Sequence, residues 1–283
     1  MVKVSAIQMA MSEDKSSNVA KAVNLVRESA LNGARIILLP ELFEGLYFCK
    51  DMDKKYFSWA NPLKNNSLIK QFSLLAKELN VVILVSYFEK TKNEYFNSLV
   101  VIDSDGTILD NYRKTHIPDG PGYEEKFYFK PGNTGFKVFD TAYGKIGAGI
   151  CWDQWFCETA RALTLMGAEI IFYPTAIGSE PEIKLDSKDH WQRVQMGHAA
   201  TNTVPVVVAN RIGIESGDSC ELTFYGSSFI TDYTGEKIAE ATRDKEEIIY
   251  ANFDLEDNAK QRAYWGLLRD RREDTYNVIC SNK

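Results

Sequence analysis

The feature that most constrains the fold is an order of elements that comes twice. Hydrophobic periodicity reads as strand (residues 3–9), helix (17–31), strand (35–39), helix (67–79), strand (81–88), then a hairpin of 96–102 and 107–112 around Asp103-Ser104-Asp105-Gly106. From residue 145 the sequence repeats it: strand 145–150, helix 153–166, strand 169–173, helix 188–202, strand 205–210, and a hairpin of 223–231 and 237–241 around Asp232-Tyr233-Thr234-Gly235. Two halves of this kind bury their apolar faces best as two sheets packed face to face with helices outside. That is an α/β, four-layer α-β-β-α sandwich with an internal pseudo-twofold duplication. No Pro/Gly/Ser-rich linker separates the halves, so residues 1–283 are read as a single domain. From about residue 248 a further strand, a short helix over 255–263 and a tail to 283 carrying RDRRED complete the chain. That charge run is either a solvated face or a subunit contact.

Composition excludes several classes. The chain has 283 residues, 45% hydrophobic and 25% charged, ample for a core. Its longest apolar runs, such as 204–209, fall far short of the roughly 20 residues of a membrane span. A strand is predicted from Val2, leaving no room for a leader, so a cytoplasmic location and no membrane partner are expected. Five cysteines at 49, 151, 157, 220 and 280 include no Cys-x-x-Cys pair, and reduced thiols are expected. A net charge of -6 argues against a nucleic-acid partner and leaves room for a cationic substrate.

The stretch 145–158, KIGAGICWDQWFCE, is where chemistry is expected. It passes from an apolar strand to a helical period at Asp153, placing Cys151 at an exposed strand-to-helix corner facing helix N–H groups that favour thiolate. The alternative is a buried structural cysteine. A base is needed. Of the three histidines, His190 and His198 fall in or at the start of a helix, as packing or hydrogen-bonding residues. His116 follows a strand and stays open as a partner. Glu41, after Pro40 at the end of a buried strand, and Lys114, after the strand ILDNYR, lie where sheet edges converge. A glutamate in a dry pocket has its pKa raised and can take a proton from a thiol. An ammonium about 4 Å from a thiolate contributes roughly 4 kcal/mol at an effective dielectric of 20. That is about three pKa units, enough to bring a thiol of about 8.5 below neutral. The same ammonium, with the backbone N–H of Trp152, can hold an oxyanion.

LLPELF around Glu41, YRKTHIPDGPGYEEKFYF around Lys114 and GICWDQWF around Cys151 resemble the three signatures of the nitrilase, or carbon-nitrogen hydrolase, superfamily. The resemblance covers residues 2 to about 276 and implies the same sandwich. It further implies a triad of Glu41 as general base, Lys114 as oxyanion stabiliser and proton relay, and Cys151 as nucleophile, with no metal or organic cofactor. A second glutamate that orients Lys114 and the substrate nitrogen is implied at Glu125, with Glu124 beside it left open, and His116 becomes a structural loop residue. Within the superfamily, LFEGLYFC, YPTAIGSEP and DHWQRVQMGHAATNTVPVVVANRIG are most similar to the N-carbamoylputrescine amidases. A small ureido or amide substrate with a cationic amine tail is therefore implied, and Glu180, Glu182 and Tyr47 are candidate receptors for the amine. Cys157 stands where relatives commonly carry proline. Homo-oligomers are common in the superfamily, and self-association is implied. A β-ureidopropionase-like or ω-amidase-like enzyme would instead place arginine or lysine where Glu180 stands. A scaffold that has lost catalysis would have no need of an intact triad.

Overall fold

The computed structural model describes residues 1–182, 185–218 and 220–280, and the last three residues of the charged tail lie outside them. The first half runs β1 (Val2–Ala10), α1 (Lys15–Leu31), β2 (Ile36–Leu38), α2 (Ser67–Leu79), β3 (Val82–Lys90), β4 (Tyr95–Ile102) and β5 (Ile108–Arg113). After α3 (Glu125–Tyr128) and β6 (Lys137–Thr141) come β7 (Gly144–Ala148), α4 (Cys157–Leu165), β8 (Ile170–Pro174), α5 (Lys188–Asn202) and β9 (Val206–Ala209). β10 (Arg211–Ser216), β11 (Glu221–Tyr225), β12 (Phe229–Thr231), β13 (Lys237–Glu240), β14 (Glu247–Phe253) and α6 (Leu255–Trp265) follow.

The duplication is real at the level of pairing. β1, β2 and β3 are parallel neighbours, and β4 and β5 extend them antiparallel. β7, β8 and β9 are likewise parallel, with β12 and β13 added antiparallel. Alternate residues of the buried strands then face opposite layers. Val4, Ile36, Val82 and Leu99 meet Ile146, Ile170, Val207 and Ile230 in the core between the sheets. Ile37, Ile83 and Val100 point outward onto α1 and α2, while Ile171, Val206 and Val208 back α5 and its Trp191. The four layers expected from the sequence are present. Asp14 and Asn66 cap the first turns of α1 and α2 through their side chains, which sets where those helices begin.

Three expectations need correction. Residues 223–231 are not one strand: β11 belongs to the first sheet and β12 to the second. Gly226 and Ser227, at φ +53° and +55°, turn the chain between them. The strand over 205–210 likewise continues past Asn210 as β10, which joins β1 in the first sheet. Asn210 fixes the crossing, its side-chain amide donating to the carbonyls of Ile177 and Gly226. The crossings fall at polar breaks, Asn210-Arg211 and Gly226-Ser227-Ser228, inside stretches that otherwise read as single strands. The β10–β11 hairpin thereby lies beside the sheet ends where the candidate residues converge. The helix expected from Asp153 is also delayed: a 3-10 turn, Cys151–Trp155, precedes α4.

The RDRRED run pairs within itself, Arg269 with Asp270, Arg271 with Glu273 and Arg272 with Asp274. Among the described residues no helix is long and apolar enough to cross a membrane.

Candidate active site

Glu41 and Lys114 leave the first sheet and Cys151 the second, each within three residues of a strand end. The backbone holds them tightly. Lys114 donates its N–H to the Asn97 carbonyl (2.8 Å) and accepts from Gly132 (2.7 Å). Leu42, next to Glu41, is at φ +48° with its N–H on Ser86 Oγ (3.1 Å). Cys151 is at φ +41°. Left-handed backbone at a non-glycine residue costs about 1 kcal/mol or more, and persists only where the surroundings impose it.

Asp153 is what imposes it at the cysteine. Its buried carboxylate accepts from the Ile150 N–H (2.9 Å) and the Tyr112 hydroxyl (2.7 Å) through Oδ2. Through Oδ1 it accepts from the His116 N–H (2.9 Å) and meets His116 Nδ1 at 2.8 Å. One carboxylate thus ties the cysteine turn to the segment that follows Lys114. His116, stacked on Phe156 with ring centroids 3.7 Å apart, completes this joint as a structural residue.

The ammonium of Lys114 sits between two carboxylates. It donates to Glu41 Oε1 (2.9 Å) and to both oxygens of Glu125 (2.8 and 2.7 Å). All three side chains are fully buried. Glu125, not Glu124, is therefore the second glutamate on the lysine. Asn97 Nδ2 adds a 2.7 Å bond to Glu41 Oε1, and the Tyr47 hydroxyl a 2.7 Å bond to Glu125 Oε1. Glu41 Oε2 has no hydrogen-bond partner among the described residues although it is buried. It is a carboxylate oxygen free to receive a proton.

These charges reverse one expectation. Cys151 is not an exposed, lysine-activated thiolate. It is 6% exposed, and its Sγ lies 3.6 Å from the Ala176 carbonyl, to which a thiol can donate. Burial and then the Glu41 charge push its pKa well up, with Lys114 opposing. Burial is the larger cause, and the two carboxylates that share the Lys114 ammonium reduce its pull on the sulfur. Burial works to lower the Lys114 pKa, but Glu125 and Glu41 outweigh it and hold it well above the lysine range. Burial likewise raises Glu125, against the pull of Lys114.

Cys151, Glu125 and Trp152 open on a cleft of about 160 Å³, walled by Pro118, Tyr123, Trp155 and Ile177. Its remaining charged lining residues are Asp119 and Glu180. Tyr123 clasps the mouth, its hydroxyl accepting from the Gly178 N–H (3.0 Å) and donating to the Ser179 carbonyl (3.3 Å). Glu180 is half-buried there, and burial raises its pKa.

Similarity to known proteins agrees with this fold. Residues 3–263 match the carbon-nitrogen hydrolase family model. The chain belongs to the carbon-nitrogen hydrolase family. It is 56% identical over 286 residues to an N-carbamoylputrescine amidase of Arabidopsis thaliana, covering 99% of this chain and 95% of that one. It is 52% identical over 279 residues to a citrullinase of Francisella tularensis, covering 98% of each. A solved carbon-nitrogen hydrolase from Helicobacter pylori G27 superposes with a TM-score of 0.92 at 38% identity, covering 99% of both chains.

For this carbon-nitrogen hydrolase the structure brings Glu41, Lys114, Glu125 and Cys151 together and sets Trp152 and Glu180 on the cleft. It does not bring Glu182, which is exposed and off the lining, nor Tyr47, which is buried behind Glu125 as its hydrogen-bond donor. His198 bonds the Gln154 carbonyl (3.0 Å), and His190 packs edge-on to Trp155. Sequence reasoning missed Asn97, Asp153 and Tyr123. A lone amide in the apolar strand 96–102 and an acid two residues past the cysteine were signals available for the first two.

Proposed function

We propose that this hydrolase cleaves N-carbamoylputrescine to putrescine, ammonia and carbon dioxide, and so serves putrescine formation. The observation that carries the chemistry is the unpartnered Oε2 of Glu41, in an array whose ammonium is locked between carboxylates beside a neutral thiol. Cys151 Sγ attacks the ureido carbonyl while its proton passes to Glu41 Oε2. The C=O electron pair moves onto oxygen, where the Lys114 ammonium and the Trp152 N–H stabilise it. Because Lys114 stays charged, it serves as a fixed positive charge and not as a proton relay. Collapse breaks the C–N bond, and Glu41 returns the proton to the departing nitrogen. Water deprotonated by Glu41 then cleaves the C–S bond. The carbamate so released loses carbon dioxide and leaves the second amine.

The tail preference rests on charge. The ionisable acid and base groups lining the cleft, apart from Cys151 and Tyr123, are the carboxylates of Asp119, Glu125 and Glu180. The nearby Lys114 ammonium already has two carboxylate partners. An ammonium-tailed ureide fits such a cleft, with Glu180 as its receptor, and a carboxylate-tailed one is repelled. The citrullinase relative favours a second reading, citrulline, which adds a carboxylate beside the amine. A single cytoplasmic domain that self-associates is part of the same reading. Ammonia release from N-carbamoylputrescine, citrulline and N-carbamoyl-β-alanine tests it: the first should show the highest kcat/KM, and preference for N-carbamoyl-β-alanine overturns the amine receptor.

A further inference from the structure

Behind the cleft, and lining none of it, lies a buried ion pair that the catalytic steps above do not use. Arg211 and Glu215, both on β10, are 0% and 3% exposed, and Arg211 Nη1 donates to Glu215 Oε1 at 2.8 Å. Burying two charges is costly unless their arms find partners, and of these arms only Arg211 Nε lacks one among the described residues. The arms lead to the active site. Arg211 Nη2 donates to the backbone carbonyls of Glu41 (2.8 Å) and Leu42 (3.2 Å), and Nη1 reaches Gly45 O at 3.4 Å. The guanidinium lies over the rings of Tyr47 and Phe224, at 5.6 and 5.2 Å from their centroids. Glu215 Oε2 accepts the backbone N–H of Tyr47 at 2.6 Å, with Lys50 Nζ 3.8 Å away. Tyr47 in turn bonds Glu125.

We infer that the Arg211–Glu215 pair is a positioning device that sets both carboxylates around Lys114, Glu41 through its own backbone carbonyl and Glu125 through Tyr47. A planar fork suits this because it grips two successive carbonyls and a carboxylate at once in a fixed plane, which a lysine ammonium cannot copy. The left-handed turn at Leu42 gives the device its purpose: without donors on the carbonyls of Glu41 and Leu42, the turn relaxes and the Glu41 carboxylate loses its set position beside Lys114. The inference rests on the proposed roles of Glu41 and Glu125. Wild type inactive on every amide would sink those roles, whereas an active wild type lets the pair be judged separately.

The experiment compares Arg211→Lys, Glu215→Gln and Tyr47→Phe with wild type on the ureide that wild type turns over best, recording kcat, KM and the melting temperature. Arg211→Lys should lower kcat about 100-fold while KM stays within about threefold, as misplacement of a reacting group by an ångström does. Tyr47→Phe, which leaves Arg211 intact, should lower kcat about tenfold, and in the double variant with Glu215→Gln the losses should be less than multiplicative because both act on Glu125. Variants that melt earlier yet keep wild-type kcat at a temperature where they are folded overturn the inference, as do fully multiplicative losses. If Arg211→Lys does not fold, the Glu215→Gln and Tyr47→Phe cycle decides alone.

Discussion

The backbone N–H of Glu41 donates to the carbonyl of Thr175 across a long 3.4 Å bond. These two residues hold the same place in the two halves: Ile36-Ile37-Leu38-Leu39-Pro40-Glu41 leads out of β2 as Ile170-Ile171-Phe172-Tyr173-Pro174-Thr175 leads out of β8. The pseudo-twofold thus brings the two strand exits face to face, and only one of them carries a carboxylate. The Glu41 carboxylate is a local departure from an otherwise symmetric frame, and its buried Oε2 has no hydrogen-bond partner among the described residues.

Replacing that carboxylate isolates its role. Glu41→Gln should lower kcat by about a thousandfold, within the range for loss of a general base, with no fall in melting temperature. Steady-state ammonia release and a thermal melt check it. Activity within tenfold of wild type would place the base elsewhere.

Cys151→Ala should abolish turnover and keep the fold, since the side chain lost is small. Cys157→Ala and Cys280→Ala, at exposed sites, should change neither. Intact-mass measurement of wild type quenched during turnover should find an adduct on Cys151, and an adduct on any other cysteine would move the nucleophile.

The pH dependence of alkylation follows from the raised thiol. Iodoacetamide reacts with thiolate, and burial with the Glu41 charge holds Cys151 protonated through the ordinary thiol range. Labelling at neutral pH should therefore be slower than for a model thiol and climb only at alkaline pH. The sign also fixes a stability effect: the folded state keeps a proton that the unfolded thiol loses above about pH 9, so this contribution falls as pH rises beyond that point. Rapid labelling at pH 7 would show a thiolate already present.

Asp153→Ala leaves two backbone N–H groups and the Tyr112 hydroxyl without their acceptor. A loss of about 3 kcal/mol is expected for several bonds to one buried charge. Urea denaturation measures it. A change under 1 kcal/mol, on the order of one ordinary hydrogen bond, would mean the cysteine turn is held by something else.

Glu180→Gln should raise KM about tenfold for the ammonium-tailed ureide, one charge-assisted contact, and leave kcat and the KM for neutral N-butylurea unchanged. Because burial raises the Glu180 pKa, wild-type KM for the cationic substrate should also rise as pH falls, starting above the usual carboxylate range. Equal effects on both ureides would take Glu180 out of the amine site.

Much of this was legible because periodicity reports which faces are buried. Helix α2 fell at the residues expected, while β2 and β7 ended at Leu38 and Ala148, short of the ends of their apolar runs at Leu39 and Ile150, and β5 ended at Arg113, beside Lys114. What escaped were contacts between distant segments. At Asn210 and Gly226 short polar breaks interrupt apolar runs, and only the pairing in space shows that the chain changes sheet there.

By itself, then, the sequence determined the order of elements, the layering that follows from their apolar faces, and which side chains to look for at the strand exits. Tertiary structure alone decided their electrical state. Whether Lys114 activates Cys151 depends on how many carboxylates share its charge. Glu125 claims it from 11 positions along the chain and Glu41 from 73, and burial with the Glu41 charge pushes the thiol pKa up. Coulomb energies depend on distance and burial in space, and neither is written in the spacing of letters.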